Sequence, residues 1–327
     1  MAWNLLLTLI AQFAPLSSSL PAVPVVDAIE VAAFGPQRST FGVRFGEFRS
    51  DYRVMAMFAM PGEIVSVEAG EPAGDSSFDL AAEAGRREVA GANRWTWIAP
   101  SKPGLYPLQI RDRENGAQMT LNVFVMVPYA SMQKGSLNGY RIGAYPNPRR
   151  GHEDEYSRPL GFVEVTPALL DVQVSPHFRL GQFVCKQRSG STRYLVLRQP
   201  LLVKLEQLLA TLNQRGIDAR TFSVLSGYRT PAYNAAIGNE TTYSRHAYGD
   251  AADVFVDDNG DGRMDDLNRD GRHTIADARV LSRIVNELEG EPESEQLVGG
   301  LGTYAPTGGH GAFMHVDTRG FSVEWGS

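Results

Sequence analysis

The sequence predicts an α+β protein in two parts, an all-β sandwich followed by a mixed α+β domain. Three observations carry that expectation. From about Val25 to Pro128 the chain consists of short alternating segments punctuated by Gly, Pro and Asp, with few helical signals. After Pro200 the period becomes helical, with Leu201, Leu202, Leu205, Leu208, Leu209 and Leu212 on one stripe. Directly beyond it, Thr221-Phe-Ser-Val-Leu reads as a buried strand, so helix and strand alternate from there to the C-terminus.

The chain has 327 residues, of which 43% are hydrophobic, enough for two ordinary domains with sizeable cores. Its start, Met1-Ala-Trp-Asn-Leu-Leu-Leu-Thr-Leu-Ile-Ala-Gln-Phe-Ala, is an apolar stretch of signal-peptide length followed by small residues, although no Lys or Arg precedes it. The expectation is a signal peptide or an uncleaved anchor over residues 1–24, hence an exported, periplasmic or cell-envelope protein; a buried N-terminal strand is the plain alternative. No later segment is apolar for long enough to span a bilayer.

In the first part, a turn at Pro103-Gly104 feeds a strand with Tyr106, Leu108 and Ile110 on one face. Met119, Leu121, Val123, Val125 and Val127 then alternate with polar neighbours. The spacing over 25–128 resembles bacterial immunoglobulin-like modules, which implies an antiparallel sandwich used for spacing or binding. Residues 129–166 are rich in Gly, Pro, Tyr and Arg without a sustained period and read as a linker. In the second part, 167–327, Pro200 opens the leucine-striped helix and Gly216 is placed to end it.

Composition narrows the function classes. The net charge of −6 is spread along the chain with no basic block, which excludes the electrostatic footprint of a nucleic-acid binder. The single Cys185 excludes an internal disulfide and a Cys-rich metal site, so any metal must be held by His and carboxylates.

Three segments carry the functional signal: Ser226-Gly-Tyr-Arg-Thr, Ser244-Arg-His-Ala-Tyr-Gly-Asp-Ala-Ala-Asp and His315-Val-Asp. Together, and with Ser175-Pro-His-Phe-Arg-Leu-Gly-Gln-Phe ahead of the first helix, they resemble the zinc D-alanyl-D-alanine carboxypeptidases, relatives of the lysostaphin-type peptidases and the hedgehog signalling domain. The resemblance covers roughly Ser175 to Asp317. It implies a hedgehog/D-Ala-D-Ala-peptidase-like fold and a zinc metallopeptidase acting on peptidoglycan peptides next to D-alanine, as a D,D-carboxypeptidase or cross-link endopeptidase. His246, Asp253 and His315 are the implied zinc ligands, meeting the need of a hydrolytic zinc for three protein donors and one open position. Alternation places Asp253 with Ala251 and Phe255 on one strand face, among small and apolar neighbours. An ionised carboxylate there requires a cation.

Arg229 is implied to bind substrate and stabilise the oxyanion, a task suited to a planar, permanently charged donor fork. Tyr228 and Ser244 are further substrate-side candidates, and Ser244 and Asn234 match the family loosely as residues that fix loops. The general base departs from the family: where many relatives have Glu or Asp three residues before the last zinc His, this chain has Ala312. His310 matches an active-site His found in part of the family and is the expected base or transition-state stabiliser, with Asp317 as its orienter or alternative.

A second metal is expected between Asp253 and the next helix. Asp266, Asn268, Asp270, Arg272 and Asp277, with Gly271, fall at the spacing of an EF-hand loop and resemble its dockerin version, which implies structural calcium. An overlapping frame uses Asp257, Asn259, Asp261, Gly262 and Asp265, so one or two ions are expected. Val280, Leu281, Ile284, Val285 and Leu288 form the helix that follows.

The expected protein is therefore a monomeric, zinc-dependent and calcium-stabilised hydrolase of the cell wall. Two competing classes follow from the same residues. Ala312 suits a zinc-containing wall-binding or signalling module without turnover, and the sandwich suits a calcium-dependent adhesion or scaffold protein.

Overall fold

Alternating apolar residues build nine strands between Arg38 and Val125 in the described residues. They are β1 (Arg38–Phe45), β2 (Phe48–Tyr52), β3 (Val54–Ala59), β4 (Ile64–Ala69), β5 (Phe78–Ala82), β6 (Arg86–Gly91), β7 (Arg94–Ile98), β8 (Gly104–Asp112) and β9 (Gln118–Val125). The computed structural model describes residues 37–70, 76–188, 190–239, 241–290 and 296–326. The expected leader or anchor over 1–24 and the first dozen residues of the expected sandwich lie outside the described residues.

The strands form two sheets, in the orders β2-β1-β4-β7-β6 and β3-β9-β8-β5. Phe41 of the first sheet meets Phe78 of the second with ring centroids 4.7 Å apart, and Trp97, Val67, Met55 and Leu121 are fully buried in the same core. The expectation of an antiparallel sandwich is corrected at one pair: β3 and β9 run in parallel, Val54 opposite Thr120 through to Ala59 opposite Val125. Tight turns dictate the direction of hairpin neighbours alone. β3 and β9 are separated by five intervening strands, so no local signal sets their direction.

The segment read as a linker is woven into its surroundings. Strand Gly161–Val165 pairs with Val127–Pro128 on one side and Arg193–Leu195 on the other. Asn122 of β9 donates through Nδ2 to the Gln173 carbonyl at 2.8 Å. The apolar core is continuous from β1 to the C-terminal strands, and Phe34–Ser327 form one compact unit.

Three α-helices are described: α1 (Gln199–Gln214), α2 (Pro231–Ala236) and α3 (Ile275–Glu289). The leucine stripe of α1 is buried, Pro200 occupies its first turn, and Gly216 follows its end at φ +75°. Each leucine so buried contributes roughly 1.5–3 kcal/mol. α3 begins with a capping box in which Thr274 and Asp277 satisfy each other's backbone N–H groups. It packs on α1 and on a five-stranded sheet ordered Ser223–Ser226, Ala251–Phe255, Phe313–Asp317, Gly300–Tyr304, Val323–Trp325. All its pairings are antiparallel except the last, which is parallel. Among the described residues no helix is long and apolar enough to cross a membrane.

Candidate metal centre

The sheet register builds the site. Strands Ala251–Phe255 and Phe313–Asp317 run antiparallel with Asp253 opposite His315. Cross-strand partners project to the same face about 4.5–5.5 Å apart, so a carboxylate and an imidazole are set side by side without any loop to aim them. His246 arrives from a short 3-10 turn, Arg245–Tyr248, that ends at Gly249. Gly249 has φ +74°, and a Cβ there would lie 2.4 Å from the carbonyl of Val196. Only glycine permits that turn to pass against the neighbouring chain and enter the Asp253 strand.

All three donor residues are buried, and their donor atoms lie within 4.8 Å of one another. His246 Nε2 and His315 Nδ1 are 3.2 Å apart, with Asp253 Oδ1 at 3.3 Å from the first and 2.9 Å from the second. The remaining nitrogens are committed elsewhere. His246 Nδ1 donates to the Gly227 carbonyl at 2.7 Å, and His315 Nε2 donates to Asp317 Oδ2 at 3.1 Å. Both inward nitrogens therefore present lone pairs toward a carboxylate oxygen. Lone pairs and a carboxylate facing one another demand a cation, and a two-imidazole, one-carboxylate set is a zinc donor set with room for a fourth ligand. The residues fit zinc.

Electrostatics agree with a cation-binding centre. Burial by itself would raise Asp253, but the two imidazoles hold its carboxyl far below the usual carboxylate range. Burial depresses His246. It opposes protonation of His315 too, yet hydrogen bonds accepted by Asp253 and Asp317 push that imidazole up to about 9. Without a metal, the carboxylates make a proton the substitute cation on His315.

Arg229 lies where the spacing predicts, between the strand Ser223–Ser226 and α2, with Nε donating to Ser226 Oγ at 2.6 Å and Nη2 to Asp253 Oδ2. Ser244 is buried at the rim of the same cleft. Asn234 accepts from Asn239 Nδ2 at 3.1 Å, which ties down the loop after α2. Tyr228 is a correction: expected at the substrate, it is 2% exposed and outside the cleft lining, its hydroxyl 3.1 Å from that of Tyr145. It follows Gly227, which packs tightly on Phe183, so its ring is drawn into the core.

The two residues expected to handle protons lie apart from each other. Asp317 is completely buried, accepting from His315 Nε2, Gly300 N and Arg319, and it has no described contact with His310. It orients His315 rather than His310. His310 sits in the loop before the His315 strand, Nδ1 paired with the Gly311 carbonyl at 2.8 Å and ring edge-on to Phe313 at 4.9 Å. Phe313 lines the cleft and His310 does not. Ala312 is buried in the apolar core, and among the described residues no carboxylate apart from Asp253 lines the cleft.

The acidic loop after Asp253 adopts two similar turns. Asp257 Oδ2 accepts from Gly262 N, Asp261 Oδ1 from Arg263 N, and Asp265 Oδ2 from Asp258 N. In the second turn Asp266 Oδ2 accepts from Gly271 N, Asn268 Oδ1 from Asp270 N, and Asp270 Oδ1 from Arg272 N. Asp277 Oδ1 receives Leu267 N and Asn268 N while capping α3. Asn259 bonds Asp265 Oδ1. Among the described residues, no second group of three His, Cys, Asp or Glu donors converges as the zinc set does.

The cleft over the centre encloses about 530 Å³, and much of its lining was not anticipated from sequence: Tyr243, Arg245, Tyr304, Phe313, Arg319 and Trp325. Arg245 forms a fully buried pair with Asp250 and lies between the Tyr156 and Tyr248 rings at 4.7 and 4.9 Å, fixing the segment next to His246. Its adjacency to His246 was the available signal. Trp325 offered no such signal, lying in a short tail without periodicity.

No curated protein matches the chain. A solved structure, that of a nucleoside hydrolase-related hypothetical protein from Saccharophagus degradans associated with carbohydrate metabolism, is 16% identical over 26% of this chain and 26% of that one, with a TM-score of 0.19. The chain thus spans about a quarter of that protein's length, and the likeness carries no argument. Residues 176–276 match the family model Peptidase M15, a span that holds Arg229, His246 and Asp253 and stops short of His315, and the match supports assigning this C-terminal region to the M15 zinc peptidases.

Proposed function

We propose that the protein is an exported zinc metallopeptidase that hydrolyses peptidoglycan peptides next to D-alanine, trimming a terminal residue or cutting a cross-link. The observation that carries this reading is the convergence of two imidazole lone pairs and the Asp253 carboxylate at the floor of a cleft with Arg229 beside them. His246, Asp253 and His315 hold the metal, and Gly227 and Asp317 fix the tautomers of the two imidazoles. Zinc, when bound, supplies Lewis acidity that polarises a carbonyl and acidifies water. Arg229, anchored by Ser226 and Asp253, directs its remaining donors at the oxygen on which charge develops. Tyr304, Phe313 and Trp325 wall the cleft with apolar surface that excludes water around the substrate. His310, one ring removed behind Phe313, acts on the proton when the loop of residues 305–312 swings inward.

One observation favours a second reading, a zinc-containing wall-binding module without turnover: neither Ala312 nor His310 lines the cleft. Digestion of purified peptidoglycan and of a D-Ala-D-Ala-terminated peptide decides between them, with products read by mass spectrometry and His246→Ala as control. Release of D-alanine or loss of cross-links by the wild type alone supports the peptidase. Stoichiometric zinc with no product supports the module.

A structural calcium in the acidic loop belongs to the same proposal. In both overlapping frames the first Asp accepts from the glycine N–H five residues on, and Asp257 Oδ1 is buried without a hydrogen-bond partner in the described structure. A cation there relieves the repulsion among the loop carboxylates and holds the end of the Asp253 strand.

A further inference from the structure

Three arginines line the cleft, and their donors are not equally used. Arg245 is consumed: Nε and Nη2 bond Asp250, and Nη1 bonds the Glu155 carbonyl. Arg229 bonds through Nε and Nη2, and Arg319 does the same, both to Asp317. Among the described residues, Nη1 of Arg229 and Nη1 of Arg319 have no hydrogen-bond partner. The two arginines brace different zinc donors, Arg229 the Asp253 carboxylate and Arg319 the Asp317 behind His315.

The three guanidinium charges are balanced by Asp250, Asp253 and Asp317. Among the described residues the cleft lining holds no other carboxylate, so a divalent ion at the centre leaves about two positive charges uncompensated there and the favoured ligand is an anion. Arg319 is built to hold one. Its guanidinium lies over the Trp325 ring at 5.3 Å and near the Phe321 ring at 5.8 Å, which fixes its plane. The backbone makes room for it at Gly300, where a Cβ would lie 2.6 Å from Nη2. Asp317 also receives Gly300 N, Arg319 N and His315 Nε2.

The wall next to this cation is apolar. Trp325 Nε1 donates to the Tyr304 hydroxyl at 2.7 Å, and Tyr304 stacks on Phe313 with centroids 4.5 Å apart. Trp325 itself packs over Gly302, where a Cβ would lie 2.6 Å from its Nε1. A fixed cation beside a flat apolar wall suits an amino-acid carboxylate carrying a small apolar side chain.

We propose that Arg319 is a specificity-determining residue that binds the free α-carboxylate of the residue released from the substrate, so that the enzyme acts as a carboxypeptidase on peptides ending in a small apolar residue. This inference rests on the peptidase reading above. Arg229 serves the reacting carbonyl, and Arg319, with Trp325 and Tyr304, holds the leaving residue.

The test compares acetyl-D-alanyl-D-alanine with its C-terminal amide in the wild type, Arg319→Gln and Arg319→Lys. Two ratios of acid over amide are measured: kcat/KM in the zinc-loaded enzyme, and the association constant by calorimetry in the zinc-free protein. Zinc content is measured alongside. Loss of one charged hydrogen bond predicts that Arg319→Gln lowers both ratios about 10-fold to 100-fold, with partial retention in Arg319→Lys. A residue that only supports Asp317 and His315 lowers turnover of acid and amide equally, and an unchanged ratio overturns the proposal even where activity falls. Where the wild type cleaves neither peptide the peptidase reading fails, and the binding ratio still decides whether Arg319 holds the carboxylate.

Discussion

Asp253 and His315 stand directly opposite each other on adjacent antiparallel strands, with His315 Nδ1 2.9 Å from Asp253 Oδ1. Two of the three candidate metal donors are thus held side by side by a β-ladder. Stripping zinc with a strong chelator should leave the fold intact and lower its melting temperature. The loss is about 4 kcal/mol where zinc had been a thousandfold above its dissociation constant. Calorimetry before and after zinc restoration checks this, and an unchanged melting temperature would contradict a resident metal.

Asp317 holds the Nε2 proton of His315 and so determines that Nδ1 is the nitrogen turned toward Asp253 and His246. Asp317→Asn should weaken zinc binding about 10-fold to 100-fold while the protein stays folded. Competition with a chromophoric chelator gives the affinity. Retention of wild-type affinity would mean that the tautomer is set by the zinc donors themselves.

Gly249 separates His246 from the Asp253 strand in a conformation that L-residues disfavour, with the Val196 backbone in the space of a side chain. Gly249→Ala should destabilise the fold by at least about 1–3 kcal/mol and displace His246. Denaturant unfolding and zinc content together test it; Gly238→Ala, also at positive φ but with open space around it, serves as the comparison that lacks the clash.

His310 has its ring against Phe313 and outside the cleft. If it handles the proton after a loop movement, His310→Ala lowers kcat about 100-fold or more with little change in zinc content. Ala312→Asp raising activity strongly would assign the base to position 312 instead and count against His310.

A calcium-selective chelator should lower the melting temperature while zinc stays bound, and Asp266→Ala should abolish that response. Identical melting curves with and without calcium would leave Asp277 as a helix cap and the neighbouring carboxylates as turn formers, roles that their backbone hydrogen bonds already describe.

Much of this protein is written locally. The leucine stripe of α1, the Pro200 start, the Gly216 stop and the strand before Arg229 are legible because helix periods, caps and turns depend on residues a few positions apart. The residues of the candidate metal centre are legible too, since short motifs carry His246, Asp253 and His315. The rest was decided by contacts between residues far apart in sequence. Nothing near residue 228 says that Tyr228 meets Tyr145 in the core instead of the substrate. No turn dictates the parallel pairing of β3 with β9. Strand Val323–Trp325 joins the sheet through residues 300–304, which brings Trp325 and Arg319 to the cleft from a tail without periodicity. The sequence by itself determined which side chains could bind a metal. Only the tertiary structure decided that Asp253 falls opposite His315 and that Arg319 stands behind it, because strand register and side-chain burial are set by long-range packing.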